Sequence, residues 1–274
     1  MKEVIKIKSK NKIIVFLCTI LCILMSIIHI ASAEDTTVQS WYLKYGNPGE
    51  APKTPDNGAY TEKYGVLSLD KTGNKNIYLT FDAGYENGNI EKILDTLKKH
   101  DVKSAFFVLP NLIKSNTELV RRMYNEGHLI CNHTKSHGNI GKVTDIAELQ
   151  RELEGNEAIL KEYLGLDMAK YYRPPEGAYS ELNLMQANRL GYKTVFWSIA
   201  YADWDNNKQQ SYDKALNLLL SRVHPGCIVL LHPTSSTNAA IMDDFITNVK
   251  QQGYCFKTLD EFPLNIESNK AENQ

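Results

Sequence analysis

The chain is poor in cysteine and has almost no excess of charge. Of its five cysteines, Cys18 and Cys22 fall in an N-terminal apolar stretch, leaving Cys131, Cys227 and Cys255 with no CxxC spacing. Three cysteines in apolar contexts argue against a disulfide scaffold and read as small buried hydrophobes. Lysine and arginine number 31 against 32 acidic residues, a formal net charge of −1. No basic footprint for nucleic acid exists, and a neutral or locally acidic partner fits better. Internal repeats and long low-complexity tracts are also missing. The 274 residues, 43% of them hydrophobic, can therefore build a full core in one large domain or two small ones.

One long hydrophobic run is present, at the start. Lys2, Lys6, Lys8, Lys10 and Lys12 precede an apolar stretch over 13–30, which ends in Ala31-Ser32-Ala33. A basic region, an apolar region and an A-x-A site make an export signal over 1–33. The run also has the roughly 18 residues needed to cross a bilayer, so an uncleaved anchor is the alternative. Either way the rest of the chain lies outside the cytoplasm, and the membrane is a partner only through this segment. Residues 34–76 carry Pro48, Pro52, Pro55 and aromatics such as Trp41, Tyr42 and Tyr45 without periodicity. This reads as an extension packed on the main domain, because disordered tails are short of aromatics. The end, 264–274, reads as a frayed tail.

From Asn76 the pattern alternates. Apolar runs of strand length at 77–81, 104–109, 128–132, 194–199 and 227–231, with a short one at 170–172, are separated by helix-like stretches at 87–100, 116–126, 144–163, 180–190, 211–221 and 239–252. Wholly apolar strands alternating with helices predict a parallel sheet covered on both faces, which six or seven units can close into a (β/α) barrel over 77–263. Barrel sites gather at the C-terminal ends of strands. Polar residues stand at those ends: Asp82, His133, Arg173, Asp203 and His232.

Each has a chemical reading. Asp82, in TFDAGYENG, ends a buried strand, where an unpaired carboxylate is costly. Arg173, in the rigid RPPEG, can pair with it. Amides after Pro175, beginning with that of Glu176, suit an oxyanion. In NHTKSHGN, His133 and His137 are four residues apart; a helical turn there puts both imidazoles on one face, able to meet one cation. Histidines with open positions suit zinc, with iron, cobalt or nickel possible. Asp203 beside His232 raises the basicity of that histidine and makes it a candidate general acid. Tyr85, Trp204, Leu230 and Leu231 are expected to contact substrate, Trp204 as a face for a sugar and the leucines as an apolar wall. His100, His128 and His224 read as structural.

In this order and spacing, TFDxG, HxxxH, RPPxG, DW and LLH resemble the five signature motifs of NodB-type polysaccharide deacetylases, carbohydrate esterase family 4. The resemblance runs from about Lys75 to Phe262 and rests on the ordered set. FDAGYENG, RPPEGAYSE, VFWSIAYADW and HPTSSTNAAIMDD are most similar to the branch that makes muramic δ-lactam in spore cortex peptidoglycan. It implies a distorted (β/α) barrel of the NodB-homology type with an irregular N-terminal arm, and metal-assisted hydrolysis of an acetamide on an N-acetylated sugar. By that resemblance Asp82 is the general base, His133 and His137 are metal ligands and Arg173 orients Asp82. The Glu176 N–H helps to bind the oxyanion, Asp203 supports His232, and His232 protonates the leaving amine.

The chain departs from the pattern at Ala83, where the family's usual TFDDG has a second aspartate as third metal ligand. The expected cofactor is thus a divalent metal, zinc first with magnesium among the others, held by two histidines with waters or substrate oxygens. The expected substrate is N-acetylmuramic acid in a peptidoglycan strand whose peptide an amidase has removed. The expected place is the cell envelope, in the forespore–mother cell intermembrane space if sporulation-specific, and the expected state a monomer. Two alternatives stay open: a deacetylase of N-acetylglucosamine polymers or chitooligosaccharides, and a glycan-binding protein that has lost its metal.

Overall fold

The computed structural model of the chain describes residues 35–56 and 58–263, so the expected export segment, 1–33, and tail, 264–274, lie outside the described residues. Among the described residues no helix is long and apolar enough to cross a membrane. The strands are β1 (Gln39–Ser40), β2 (Asn76–Ala83), β3 (Ala105–Val108), β4 (Leu129–Asn132), β5 (Ala169–Tyr172), β6 (Ala178–Tyr179), β7 (Lys193–Thr194), β8 (Cys227–Leu231) and β9 (Cys255–Phe256). The helices are α1 (Ala59–Tyr64), α2 (Ile90–Lys99), α3 (Pro110–Ser115), α4 (Thr117–Asn125), α5 (Ile146–Leu164), α6 (Glu181–Arg189), α7 (Tyr212–Arg222) and α8 (Ser236–Gln251). The main sheet has the order β7-β5-β4-β3-β2-β8, with β9 beside the start of β2, and all its pairings are parallel.

Period-two alternation sorts β2 onto two faces. Ile77, Leu79, Phe81 and Ala83 join the helix-facing core, with Ile93 and Leu97 of α2 and Ile241 and Phe245 of α8. Tyr78 packs on the other face with Phe107, Cys131, Val195 and Ile228, and fills the barrel interior. Thr80 and Asp82 share the face of Tyr78, so the acid enters the mouth of the barrel from its inner side.

Residues 195–199 close the sheet. The Val195 N–H donates to Tyr172 O at one end, and the Ser198 and Ile199 N–H groups donate to Ile228 O at the other. A six-residue strand is expected here, but only Lys193–Thr194 forms a ladder. The reason is that the Val195 and Phe196 carbonyls accept from the Arg173 guanidinium instead of from a neighbouring strand.

Local chemistry sets several helix boundaries. Asp145 caps α5, which ends at Gly165 in the left-handed region; Ser180 and Asn183 form a capping box on α6, and Ser235 caps α8. Cys131 and Cys227 are buried as expected, whereas Cys255 is exposed because β9 is a two-residue strand at the rim.

Candidate active site at the C-terminal ends of the strands

Arg173, directly after β5, is fully buried. A buried guanidinium needs both a counter-charge and hydrogen-bond acceptors. It donates to Asp82 Oδ1 (2.8 Å), Thr80 Oγ1 (2.8 Å) and Val195 O (3.0 Å), and its Cζ lies 4.2 Å from the Phe107 ring centroid. Thr80 passes its own proton to Val229 O, so the fork is held on several sides. Burial alone pushes the Asp82 carboxyl up, but the charge and hydrogen bond of Arg173, with His232 across the mouth, hold it below its ordinary value. Asp82 is therefore an ionised, aimed carboxylate.

His133 stands beside this pair. Its Nδ1 lies 2.9 Å from Arg173 O, and because a carbonyl can only accept, Nδ1 carries the proton. Nε2 then presents a lone pair, 3.6 Å from Asp82 Oδ2. Burial keeps the ring neutral by pushing its pKa down to about 4, although Asp82 pulls the other way. Two acceptors facing each other across 3.6 Å form no hydrogen bond, and a cation or a water fits between them.

The His137 ring lies 5.0 Å from that of His133, centroid to centroid. The expected helical turn is absent. Residues 133–137 form a loop in which Thr134 (φ 71°) and His137 (φ 57°) take left-handed backbone, and the side chain of Thr134 accepts from His137 N (3.0 Å). Such conformations cost ~1–3 kcal/mol each in a non-glycine residue and persist where neighbours over-determine them. Here Asn132 Oδ1 accepts from Thr134 N and Glu152 Oε2 accepts from Lys135 N and Ser136 N.

The two histidines suit a metal in donor type, and His133 also in tautomer. Among the described residues, no group of three or more His, Cys, Asp or Glu is arranged to hold an ion. Ala83 explains the shortfall: it is fully buried in the helix-facing core, on the pleat opposite Asp82.

Across the mouth, Asp203 Oδ1 lies 2.7 Å from His232 Nδ1, and Asp203 Oδ2 accepts from the His232 N–H (2.8 Å). Burial lowers the pKa of His232, but the hydrogen bond and charge of Asp203 more than offset it, leaving the imidazole raised above its ordinary value. The sequence reading missed Asn238, which is fully buried on the first turns of α8. Its Nδ2 donates to Asp203 Oδ2 (2.6 Å) and His232 O (3.0 Å), and its Oδ1 accepts from Tyr201 (2.5 Å). An asparagine on a buried helix face is the signal that could have found it, since it must have partners. Thr80 was missed for the same reason.

Glu176, in the PPEG turn, has φ 58°, and Gly177 follows at φ 63°. At the rim, Trp204 is 62% exposed with its ring 6.3 Å from His232, and the Tyr85 hydroxyl accepts from Asn206 Nδ2 (2.7 Å). The two expected wall leucines separate. Leu230 pairs in register with Thr80 and shares its inner face, whereas Leu231 pairs with Phe81 and packs in the helix-facing core. Leu231 is therefore withdrawn from the substrate-contact set, because adjacent strand residues face opposite sides. The remaining described histidines bond away from the mouth: Ser104 N donates to His128 Nδ1, His224 bonds Ser198 and Arg222 O, and His100 Nε2 lies 2.5 Å from Asp243 Oδ1.

Comparison with known proteins identifies the family and the fold. The polysaccharide deacetylase family model matches residues 69–195. Peptidoglycan-N-acetylmuramic acid deacetylase PdaA of Bacillus subtilis is 44% identical over 78% of this chain and 82% of its own. The chain belongs to the polysaccharide deacetylase family, carbohydrate esterase family 4. The solved structure of that PdaA superposes with a TM-score of 0.78 at 39% identity, covering 83% of this chain and 97% of the other. A family 4 carbohydrate esterase from Bacillus anthracis gives 0.69 at 36% identity, covering 84% and 98%. Members of the family are hydrolases of amide bonds, and the parallel curled barrel is common to them.

Proposed function

We propose that the protein removes the N-acetyl group of N-acetylmuramic acid in peptidoglycan, after an amidase has stripped the peptide, and so opens the way to muramic δ-lactam in spore cortex. The observation that carries this reading is the pairing of two differently tuned groups at one barrel mouth. One is an ionised carboxylate, Asp82 on Arg173; the other is an imidazole raised in pKa, His232 on Asp203. The identity to a muramic acid deacetylase supplies the substrate class.

In this reading Asp82 takes a proton from the attacking water as its oxygen adds to the acetamide carbonyl. Negative charge builds on the former carbonyl oxygen, for which the Glu176 N–H is the proposed donor. Protonated His232 then delivers its Nε2 proton to the sugar nitrogen as the C–N bond breaks, giving acetate and an amine. Asp203 stabilises the imidazolium and fixes its tautomer, and Asn238 and Tyr201 hold Asp203. His133 and His137 would hold a divalent cation, zinc by donor type, whose chemistry when bound is to polarise the carbonyl and acidify a water. Trp204, Tyr85 and Leu230 contact the sugar. The freed amine then adds to the lactyl carboxyl carbon, and a carboxyl oxygen leaves as water with the amine's proton, which closes the lactam. Action takes place outside the cytoplasm, on a glycan strand, by a monomer.

The test is acetate release and mass spectrometry of muropeptides after incubation with peptide-stripped peptidoglycan, with and without divalent metals, alongside Asp82→Asn. Metal-stimulated release from muramic residues, lost in the variant, is expected. Release only from N-acetylglucosamine would move the substrate to that of the Bacillus cereus relative, 34% identical over 76% of this chain. Glycan binding without release under any metal would make the protein a glycan-binding module.

A further inference from the structure

The N-terminal arm lies outside the residues matched by the family model, yet it touches the loops that the proposed reaction uses. Trp41 makes three contacts that converge there. Its backbone N–H donates to Gly177 O (2.8 Å), its indole Nε1 donates to Trp197 O (2.9 Å), and its ring stacks on Phe196 at 4.2 Å and 3°. Both ends of the bracing have chemical targets. Gly177 follows Glu176, whose left-handed backbone aims the proposed oxyanion donor. Phe196 and its neighbour Val195 supply carbonyls that accept from Arg173.

The fit is close. A Cβ added at Gly177 would lie 2.8 Å from the Trp197 ring and 3.1 Å from Trp41 Cβ, so the turn, Trp41 and Trp197 form one packed unit. β1 extends the contact by pairing antiparallel with β6, Gln39 with Tyr179 and Ser40 with Ala178. Further along the arm, the Tyr45 hydroxyl bonds Ala200 at both its N–H and its carbonyl, three residues before Asp203. Left-handed backbone at a non-glycine residue persists where its surroundings over-determine it, and here Trp41 is part of them, beside Trp197 and the Gly177 N–H bond to Pro174 O.

We infer that Trp41 is a positioning residue for the deacetylation, holding the Glu176–Gly177 peptide and the carbonyls around Arg173 at their working geometry. The inference rests on the reading above. Because it acts on the oxyanion donor, it acts in the transition state more than in substrate binding.

The experiment compares the full chain with Trp41→Ala and Trp41→Phe, measuring kcat and KM for acetate release and amide hydrogen exchange over 176–179. Trp41→Ala is expected to lower kcat by roughly 10- to 100-fold with KM within about twofold, and to speed exchange at 176–179. Trp41→Phe, which keeps an aromatic ring to stack on Phe196 but loses the indole N–H, is expected to lose only a few-fold in kcat. Unchanged kcat in a folded Trp41→Ala protein would overturn the inference and leave the deacetylase reading standing. If Trp41→Ala does not fold, Trp41→Phe decides: a kcat-selective loss of a few-fold supports the inference, and no change or a KM-only change overturns it. If the parent protein releases no acetate, the functional reading fails, and exchange at 176–179 alone decides whether the arm braces the turn.

Discussion

His133 and His232 occupy equivalent places, each just past the end of a barrel strand and each with Nδ1 committed to a partner. The partners differ. Arg173 O holds His133 as a neutral ring with a free Nε2 lone pair, whereas the Asp203 carboxylate favours the imidazolium of His232. Burial acts on both in the same direction, yet one pKa falls to about 4 and the other rises. One hydrogen-bond acceptor, neutral or charged, thus divides the two rings into a ligand type and an acid type.

The largest effect is expected from removing the group between them. Asp82→Asn should reduce acetate release about 10²- to 10⁴-fold, the range of a lost acid–base group, with KM little changed. It also leaves the Arg173 charge without its carboxylate, so thermal melting should fall.

Asp203→Asn comes next and bears most directly on the contrast. Activity requires ionised Asp82 and protonated His232. Asp82 lies below its ordinary 3.8, so the acid limb should fall only at pH below that value. His232 lies above its ordinary 6.5, so the alkaline limb should fall as pH rises through the raised value. Without Asp203, burial and the Arg173 charge lower His232 against the charge of Asp82 alone, and the alkaline limb should move to lower pH while the acid limb stays. A limb that does not move would mean that Asp203 does not set the proton on His232.

Metal response sharpens the His133 side. Chelation should lower activity and zinc should restore it, and His133→Gln should lose that response. Ala83→Asp places a carboxylate in a buried position, so the metal-free protein should melt at lower temperature.

The polar strand ends were legible because each interrupts an apolar run: Asp82 after IYLTF, His133 after LICN, His232 after IVLL. The pairing Asp82–Arg173 followed from the cost of a lone buried charge, and Asp203–His232 from an acid and a histidine at neighbouring strand ends. What stayed hidden depends on backbone or on phase. The HxxxH spacing suggests a helix, but Thr134 and His137 take left-handed backbone that nothing in their residue types announces. CIVLL is apolar throughout, so the sequence does not reveal that Leu230 and Leu231 face opposite sides. Trp41 and Asn238 reach the site from 132 and 65 residues away from Arg173, counted along the chain (173 − 41 and 238 − 173), and no local pattern joins them. Helix α3 falls between the apolar run at 104–109 and the helix-like stretch at 116–126, too short to show a period of its own, and its Pro110 sits in the first turn, where proline suits a helix.

Smaller effects belong to the rim and the base. Trp204→Ala should raise KM several-fold with kcat nearly unchanged, since an exposed ring contributes binding shared by ground and transition states. His128 is buried, with its pKa lowered by that burial to about 4. Its stabilising contribution is complete above about 6.5 and is lost as pH falls toward the folded value. His128→Asn should therefore flatten the loss of stability between those pH values without changing activity at neutral pH.

The most direct test of the division between the two rings is an NMR titration of the metal-free protein with ¹⁵N-labelled histidine. The account predicts that His133 stays neutral, protonated at Nδ1, from pH 8 down to about 5, while His232 becomes charged with a midpoint above 6.5. Both rings titrating together near 6.5, or His133 charging before His232, would contradict it.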